Sequence, residues 1–215
     1  MSFLQKLYSR SSATTRRHNP NVQRFNVVVL GAGGVGKSAL TFRFAKNSFN
    51  ELYNPTTEET YCRDIFLNGE RYAMEIVDTA GAEQFTELNE QYVRAAHGFV
   101  LVFSLTYQAS LREIDDIRKQ VSRVKGANAD TPIIVVGTKL DLVHEREVTR
   151  DKIRQLVNKW GITFYETSAK QNWHISDVFQ DLLAQMRDRY KDVPTSQKQW
   201  DQPKRKKWTD QCLIM

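Results

Sequence analysis

The chain has 215 residues, 40% of them hydrophobic and 26% charged, and a formal net charge of +6. That length suits one domain with appended ends, and the mixture excludes wholesale disorder. The longest apolar runs, GFVLVF and PIIVV, fall far below the roughly 18–20 residues that cross a bilayer, so neither a transmembrane helix nor a secretory leader is expected.

Residues 1–24 carry Lys6, Arg10, Arg16, Arg17 and Arg24 without an acid, and they lack a sustained apolar pattern. They read as a flexible basic arm. From Phe25 the sequence is punctuated. FNVVVL has strand length and is closed by a glycine cluster; SALTFRFAKNSF follows with helical spacing. TYCRDIFLNGERYAMEIVD holds Asn68-Gly69 between two strand-like runs, which predicts an antiparallel hairpin. GFVLVFSL, TPIIVVGT and GITFYETS are strand-like in turn. Helical patterns over about 108–125, 149–160 and 173–190 separate them. Strands spaced by helices imply crossovers, hence a mostly parallel sheet covered on both faces. Cys62 sits in a strand-like run and is expected as a small core residue. With Cys212 it makes only two cysteines, which excludes a disulfide-stapled fold and favours a reducing compartment. The four histidines lack metal-ligand spacing, so zinc is not expected.

After Tyr190 the text turns polar, and residues 191–215 carry six bases against three acids. Both ends are therefore basic and the stretch between them slightly acidic. This argues against nucleic acid as the core's partner and for ends that meet an acidic surface.

Gly31-Ala32-Gly33-Gly34-Val35-Gly36-Lys37-Ser38 fits G-x-x-x-x-G-K-[ST]. Chance produces such a match in roughly one chain per hundred of this length. Here it also follows a strand and opens a helix, as phosphate binding demands. Glycines let backbone N–H groups turn inward on phosphates, Lys37 adds a point charge, and the Ser38 hydroxyl suits Mg²⁺. The helix N-terminus favours the anion further.

Three more stretches stand at strand ends, the ligand rim of a parallel sheet. Asp78-Thr79-Ala80-Gly81 offers a carboxylate for Mg²⁺ through water and a small residue whose N–H approaches a γ-phosphate. Thr138-Lys139-Leu140-Asp141 offers a carboxylate suited to the paired N1–H and N–H₂ donors of guanine, which adenine lacks. Ser168-Ala169-Lys170 is expected to present backbone N–H to the guanine carbonyl. Each alone reads equally as a polar loop; the ordered set does not.

That set, GAGGVGKS, DTAG, TKLD and ETSAK, resembles the Ras superfamily of small GTPases over about residues 25–190. It is nearest the Ras/Rap branch, because DTAGAEQF is similar to the Rap form. The resemblance implies a single α/β P-loop GTPase domain over 25–190: a six-stranded, mostly parallel sheet with one antiparallel edge strand and helices on both faces. It implies GTP or GDP with Mg²⁺, held by residues 31–38 together with Ala39, by Asp78 and Gly81, and by Thr138, Lys139, Asp141, Ser168, Ala169 and Lys170. Phe49 matches the aromatic that packs on guanine. Tyr53 and Thr56 match the first switch, where Thr56 ligates Mg²⁺ only in the GTP state. Gly33 falls where side chains would crowd an incoming arginine. Lys37, Thr56 and Gly81 are the implied catalytic set. Losing the γ-phosphate frees both switch loops.

Two positions depart from the pattern. Thr138 stands where Ras-branch proteins usually have Asn, and a hydroxyl makes fewer hydrogen bonds than an amide. Ala82 stands where Ras has the Gln that orients the attacking water. Alanine has no polar atom for this, as in Rap-like proteins, whose activating partners supply an amide. Slow intrinsic hydrolysis is therefore expected. The implied partners are an exchange factor, a Rap-type activating protein and an effector at residues 53–61. A hydrolysis-deficient, GTP-bound scaffold is the alternative. A nucleotide kinase lacks a readable lid or second substrate pocket.

The chain stops at Cys212-Leu213-Ile214-Met215, a C-a-a-X pattern whose Met favours farnesyl on Cys212. One isoprenoid holds a membrane marginally, and Lys204, Arg205, Lys206 and Lys207 supply the second signal. Trp200 and Trp208 either sit at headgroup level or are idle. The expected location is the cytoplasmic face of a membrane, the plasma membrane first. The basic start reads as an unstructured extension, as a membrane-touching arm around Phe3, Leu4, Leu7 and Tyr8, or as a transit peptide.

Overall fold

The computed structural model describes residues 22–51, 58–79, 87–126 and 130–191. Their elements are β1 (Gln23–Leu30), α1 (Lys37–Lys46), β2 (Glu58–Leu67), β3 (Glu70–Thr79), α2 (Glu87–Ala95), β4 (Gly98–Ser104), α3 (Gln108–Lys125), β5 (Ile133–Thr138), α4 (Arg150–Trp160), β6 (Thr163–Glu166) and α5 (Ile175–Arg189). No described helix is long and apolar enough to cross a membrane.

The six strands form one sheet in the order β2-β3-β1-β4-β5-β6. Only the β2–β3 pair is antiparallel. Its turn is Asn68-Gly69, with φ of 53° and 82°. Both residues are left-handed, the geometry whose twist matches the flanking strands and which Asn-Gly adopts most readily. The other four pairings are parallel.

Strand alternation divides the core in two. Phe25, Val27 and Val29 of β1, with Val100 and Val102 of β4, face α1 and α5, against Leu40, Phe44, Val178, Phe179 and Leu182. Val28, Leu30, Phe99, Leu101 and Phe103 face α2, α3 and α4, against Val93, Ile114, Val121 and Ile153. Each aliphatic or aromatic side chain so buried contributes on the order of 2 kcal/mol. The central strands are apolar throughout because both faces are covered.

Two expectations need correction. Cys62 is exposed. Ile65 of β2 is buried while Thr60, Cys62, Asp64 and Phe66 point to solvent. The edge strand overhangs the helices, so its outer face meets water and the two-residue alternation carries Cys62 outward. α2 is also absent from the sequence reading. It has only nine residues, too few for its apolar stripe to stand out from the polar text around it.

Candidate functional site

Parallel register brings the loops to one rim. Val29 pairs with Asp78, Ser104 with Thr138, and Gly137 with Glu166. Thr79 Oγ1 donates to the Val29 carbonyl at 2.8 Å, pinning the end of β3 to the end of β1. The phosphate loop joins β1 to α1. A Cβ on Gly31 would collide with the Val102 carbonyl, so this position admits no side chain. Gly36, at φ 98°, caps α1. Its left-handed backbone turns the chain so that Lys37 and Ser38 enter the first helical turn, where N–H groups lack intrahelical partners.

Lys37 is 6% exposed. Its Nζ donates to the carbonyls of Gly31 at 3.0 Å and Ala32 at 2.8 Å, which hold the ammonium across the loop. Burial lowers its pKa, and the charge of Asp78 acts the other way. Asp78 is fully buried, and neither carboxylate oxygen has a hydrogen-bond partner. Burial pushes its pKa up to about 6, although the Ser38 hydroxyl and the Lys37 ammonium favour the charged form. The hydroxyl thus lies close enough to act on the charge without hydrogen-bond geometry. A buried carboxylate left this way is strongly disfavoured unless a cation or its water completes it.

At the far end of the rim, the Ser168 hydroxyl donates to Asp141 Oδ1 at 2.6 Å. It fixes the carboxylate and leaves its other oxygen to accept. The Ser168 N–H itself donates to the Trp173 carbonyl at 3.3 Å, which leaves Ala169 and Lys170 as the residues of that stretch whose N–H groups could meet a base. Thr138 Oγ1 contacts the Val35 carbonyl and lies 3.1 Å from the Phe103 carbonyl. Its single hydroxyl thereby links β5 to the phosphate loop. Lys139 adopts φ 62°. That left-handed backbone costs about 1 kcal/mol for a residue with a Cβ. It is sustained by Leu140 N–H on the Thr167 carbonyl and Leu142 N–H on the Lys139 carbonyl, both at 3.0 Å.

Arg43, which sequence reasoning passed over, joins these parts. From α1 its Nε donates to the Ala169 carbonyl at 2.6 Å and its Nη2 to the Lys170 carbonyl at 3.0 Å. The trans peptide then aims the Lys170 N–H the opposite way. The guanidinium also lies 5.9 Å from the centre of the Phe49 ring. One side chain thus holds the Ala169–Lys170 stretch from behind and lies beside Phe49, the aromatic expected to pack on a base. The signal in the sequence was only an arginine inside an amphipathic helix. Arg146 adds a second support, with a bidentate pair to Glu166 at 3.0 and 2.5 Å.

The rim therefore carries the phosphate loop and its buried Lys37 at one end. At the other end Ser168 fixes the Asp141 carboxylate, and Arg43 bridges the adjoining Ala169–Lys170 loop and Phe49. A family model described as the Ras family matches residues 26–188. The chain is a member of the Ras family. Membership makes this domain a small GTPase, a GTP hydrolase that switches between GTP- and GDP-bound states. Exchange factors, activating proteins and effectors are the partners that Ras-family proteins generally use.

The family's Mg²⁺ fits the residues present. Asp78 offers two buried oxygens without partners, beside Ser38 at the start of α1. No group of three or more His, Cys, Asp or Glu side chains gathers among the described residues. Tyr53, Thr56, Gly81, Ala82 and Cys212 lie outside the described residues.

Proposed function

We propose that this Ras-family protein is a Rap-like, membrane-tethered switch that hydrolyses GTP slowly until an activating protein completes its site. The observation that carries the reading is Ala82, directly after the Asp78-Thr79-Ala80-Gly81 stretch, in an otherwise intact set of motifs. Positioning dominates phosphoryl transfer, so the loss of a water-orienting amide falls on the rate of hydrolysis and not on nucleotide binding. Gly31 to Ala39 hold the phosphates, with Lys37 as the counter-charge. Ser38, Asp78 through water and, in the GTP state, Thr56 would hold Mg²⁺, whose charge would offset that of the phosphates. Asp141 selects guanine, with Phe49 and Lys139 along the ring and Ala169 and Lys170 offering backbone N–H.

The phosphate loop also leaves room for a partner. A Cβ on Gly33 would meet nothing within 4 Å. The domain's own packing does not demand glycine there, which suits an arginine arriving from outside. Residues 53–61 would meet the effector. Farnesyl on Cys212 and the four cations at 204–207 would hold the protein at the cytoplasmic face of the plasma membrane.

The deciding experiment is single-turnover GTP hydrolysis by the full chain, alone and with a Rap-type activating protein. Slow hydrolysis alone and fast hydrolysis with the partner are expected. A rate alone equal to that of a Gln-bearing relative overturns the reading. Slow hydrolysis that the partner leaves unchanged favours the GTP-bound scaffold, which Ala82 equally permits.

A further inference from the structure

We propose that the groove between α3 and α4 is a docking site for an acidic amphipathic helix of a partner protein. None of its residues belongs to the nucleotide rim, and it depends neither on Ala82 nor on the tether proposed above.

The groove arises because α4 covers its layer of the core incompletely. The helix separates polar from apolar side chains, yet Ile153 alone is fully buried. Leu156 and Val157 pack against the same layer and stay partly open. On the facing helix Leu111 belongs to that layer as well. A cavity of about 360 Å³ is left between the helices, lined by Gln108, Leu111 and Arg112 of α3 and by Lys152, Leu156 and Lys159 of α4. Its floor is leucine and its rim is cationic.

Those cations lack acids. Arg112, Lys152 and Lys159 are exposed. Lys152 Nζ donates to Gln108 Oε1 at 3.2 Å, a neutral partner that ties the two helices together and leaves the charge unanswered. Among the described residues, no carboxylate pairs with any of the three. Nearby cations do find partners: Asp115 holds Arg118 and Lys119, and Glu166 holds Arg150. Glu113 and Asp151 adjoin Arg112 and Lys152 in sequence, but successive residues on a helix do not face each other.

Charge complementarity names the occupant. An exposed ion pair contributes little by itself, so a lone anion would not be retained. A partner that sets several carboxylates at once, and drives an apolar side chain onto Leu111 and Leu156, is held by the anchor while the ion pairs fix its register. Spacing selects a helix. Lys152 and Lys159 stand two turns apart, about 10 Å along α4. Carboxylates at i and i+7 of a helix laid along α4 repeat that interval, and apolar residues at i+3 and i+4 then face the floor. Arg112, on the opposite wall, meets a further acid.

The test uses the full chain loaded with GDP and a fluorescent alanine-based helical peptide of about 16 residues, with glutamate at i and i+7 and leucine at i+3 and i+4. One control peptide has lysine in place of glutamate; another keeps the glutamates and moves the leucines to i+1 and i+5, off that face. Anisotropy reads affinity, and backbone amide shifts in α3 and α4 read the place. The parent is expected to hold the first peptide at least about tenfold more tightly than either control, and less tightly as salt is raised. K152Q and K159Q together are expected to abolish the preference for glutamate over lysine while GDP stays bound. Equal affinity for the first peptide and either control, unchanged affinity in the double variant, or amide shifts confined to other elements overturns the proposal. So does another occupant: a dimer of the parent that the double variant dissolves and the peptide does not compete with, or phosphatidylserine vesicles that need these two lysines while the peptide is not held. None of these readouts uses GTP hydrolysis, so a failure of the proposed switch leaves this test intact.

Discussion

The hydroxyl of Ser168 donates to Oδ1 of Asp141 at 2.6 Å, joining two loops that lie 27 residues apart in the chain. The bond is charge-assisted and holds one carboxylate oxygen, so the carboxylate has a fixed orientation before any base arrives. Removing the hydroxyl in Ser168→Ala leaves the Asp141 carboxyl group free to rotate. Guanine nucleotide dissociation is expected to quicken by about tenfold, beyond a loss of about 1–3 kcal/mol in unfolding free energy, since the same hydroxyl also accepts the Gln171 N–H at 3.0 Å. Stopped-flow release of a fluorescent GDP checks this, and an unchanged rate would remove the orienting role.

Arg43 grips the neighbouring loop from behind, through the carbonyls of Ala169 and Lys170, and lies near the Phe49 ring. Arg43→Met keeps the length and removes every donor. GDP release is expected to accelerate by about tenfold or more, with Arg43→Lys recovering only part, because a single ammonium cannot replace the planar fork. A drop in unfolding temperature alone, with release unaltered, would make Arg43 a packing residue.

Asp78 is buried with no hydrogen-bond partner, and burial raises its pKa to about 6. A neutral isostere relieves that burden. Asp78→Asn is expected to stabilise the nucleotide-free protein by up to about 3 kcal/mol near neutral pH. The same variant should release GDP at a rate that no longer responds to a magnesium chelator. Urea unfolding and chelator-dependent release test the two halves separately.

Glu166 is pulled two ways. Burial pushes its carboxyl up, but Arg146 and then Arg150 overcome this and hold it below the usual carboxylate value of 4.5. A depressed folded pKa means that the unfolded chain binds the proton first. The stabilisation is therefore present above about pH 4.5 and is lost as pH falls through the lower folded value. The difference in unfolding free energy between the parent and Glu166→Gln is expected to hold constant near neutrality and to shrink in acid. A difference independent of pH would count against the pair.

Ala82 is the remaining handle on rate. Ala82→Gln restores an amide where a water is to be oriented. Intrinsic hydrolysis is expected to rise by on the order of ten- to a hundredfold while GTP affinity stays level. Single-turnover phosphate release reads the first quantity and nucleotide competition the second.

Much of the fold was legible because the signals are local. Asn68-Gly69 marks its hairpin through backbone preference alone, and the apolar runs of β1, β4 and β5 announce strands covered on both faces. α2 escaped because nine residues leave too few turns for a stripe to show. Cys62 was misread because alternation says which residues share a face but not whether anything covers it. At the candidate site, Lys37, Asp78 and Asp141 could be named from the sequence because the proposed chemistry asks for those residue types at fixed spacing. Arg43 and the Ser168 hydroxyl were not, because their partners are 126 and 27 residues distant.

By itself, then, the sequence set out the residues of the expected chemistry: a glycine loop with its lysine, Asp78 as the carboxylate proposed for a metal, Asp141 as the one proposed for a base, and alanine at position 82. The residues that do such work are specified by what they touch in a ligand, so their identities survive in the text. Tertiary structure alone decided which groups hold those residues still, and that Phe25 of β1, His97 before β4 and Tyr190 after α5 meet in one ring cluster. Those relationships arise from register across a parallel sheet, and register is settled by packing both of its faces at once, not by any short stretch of chain.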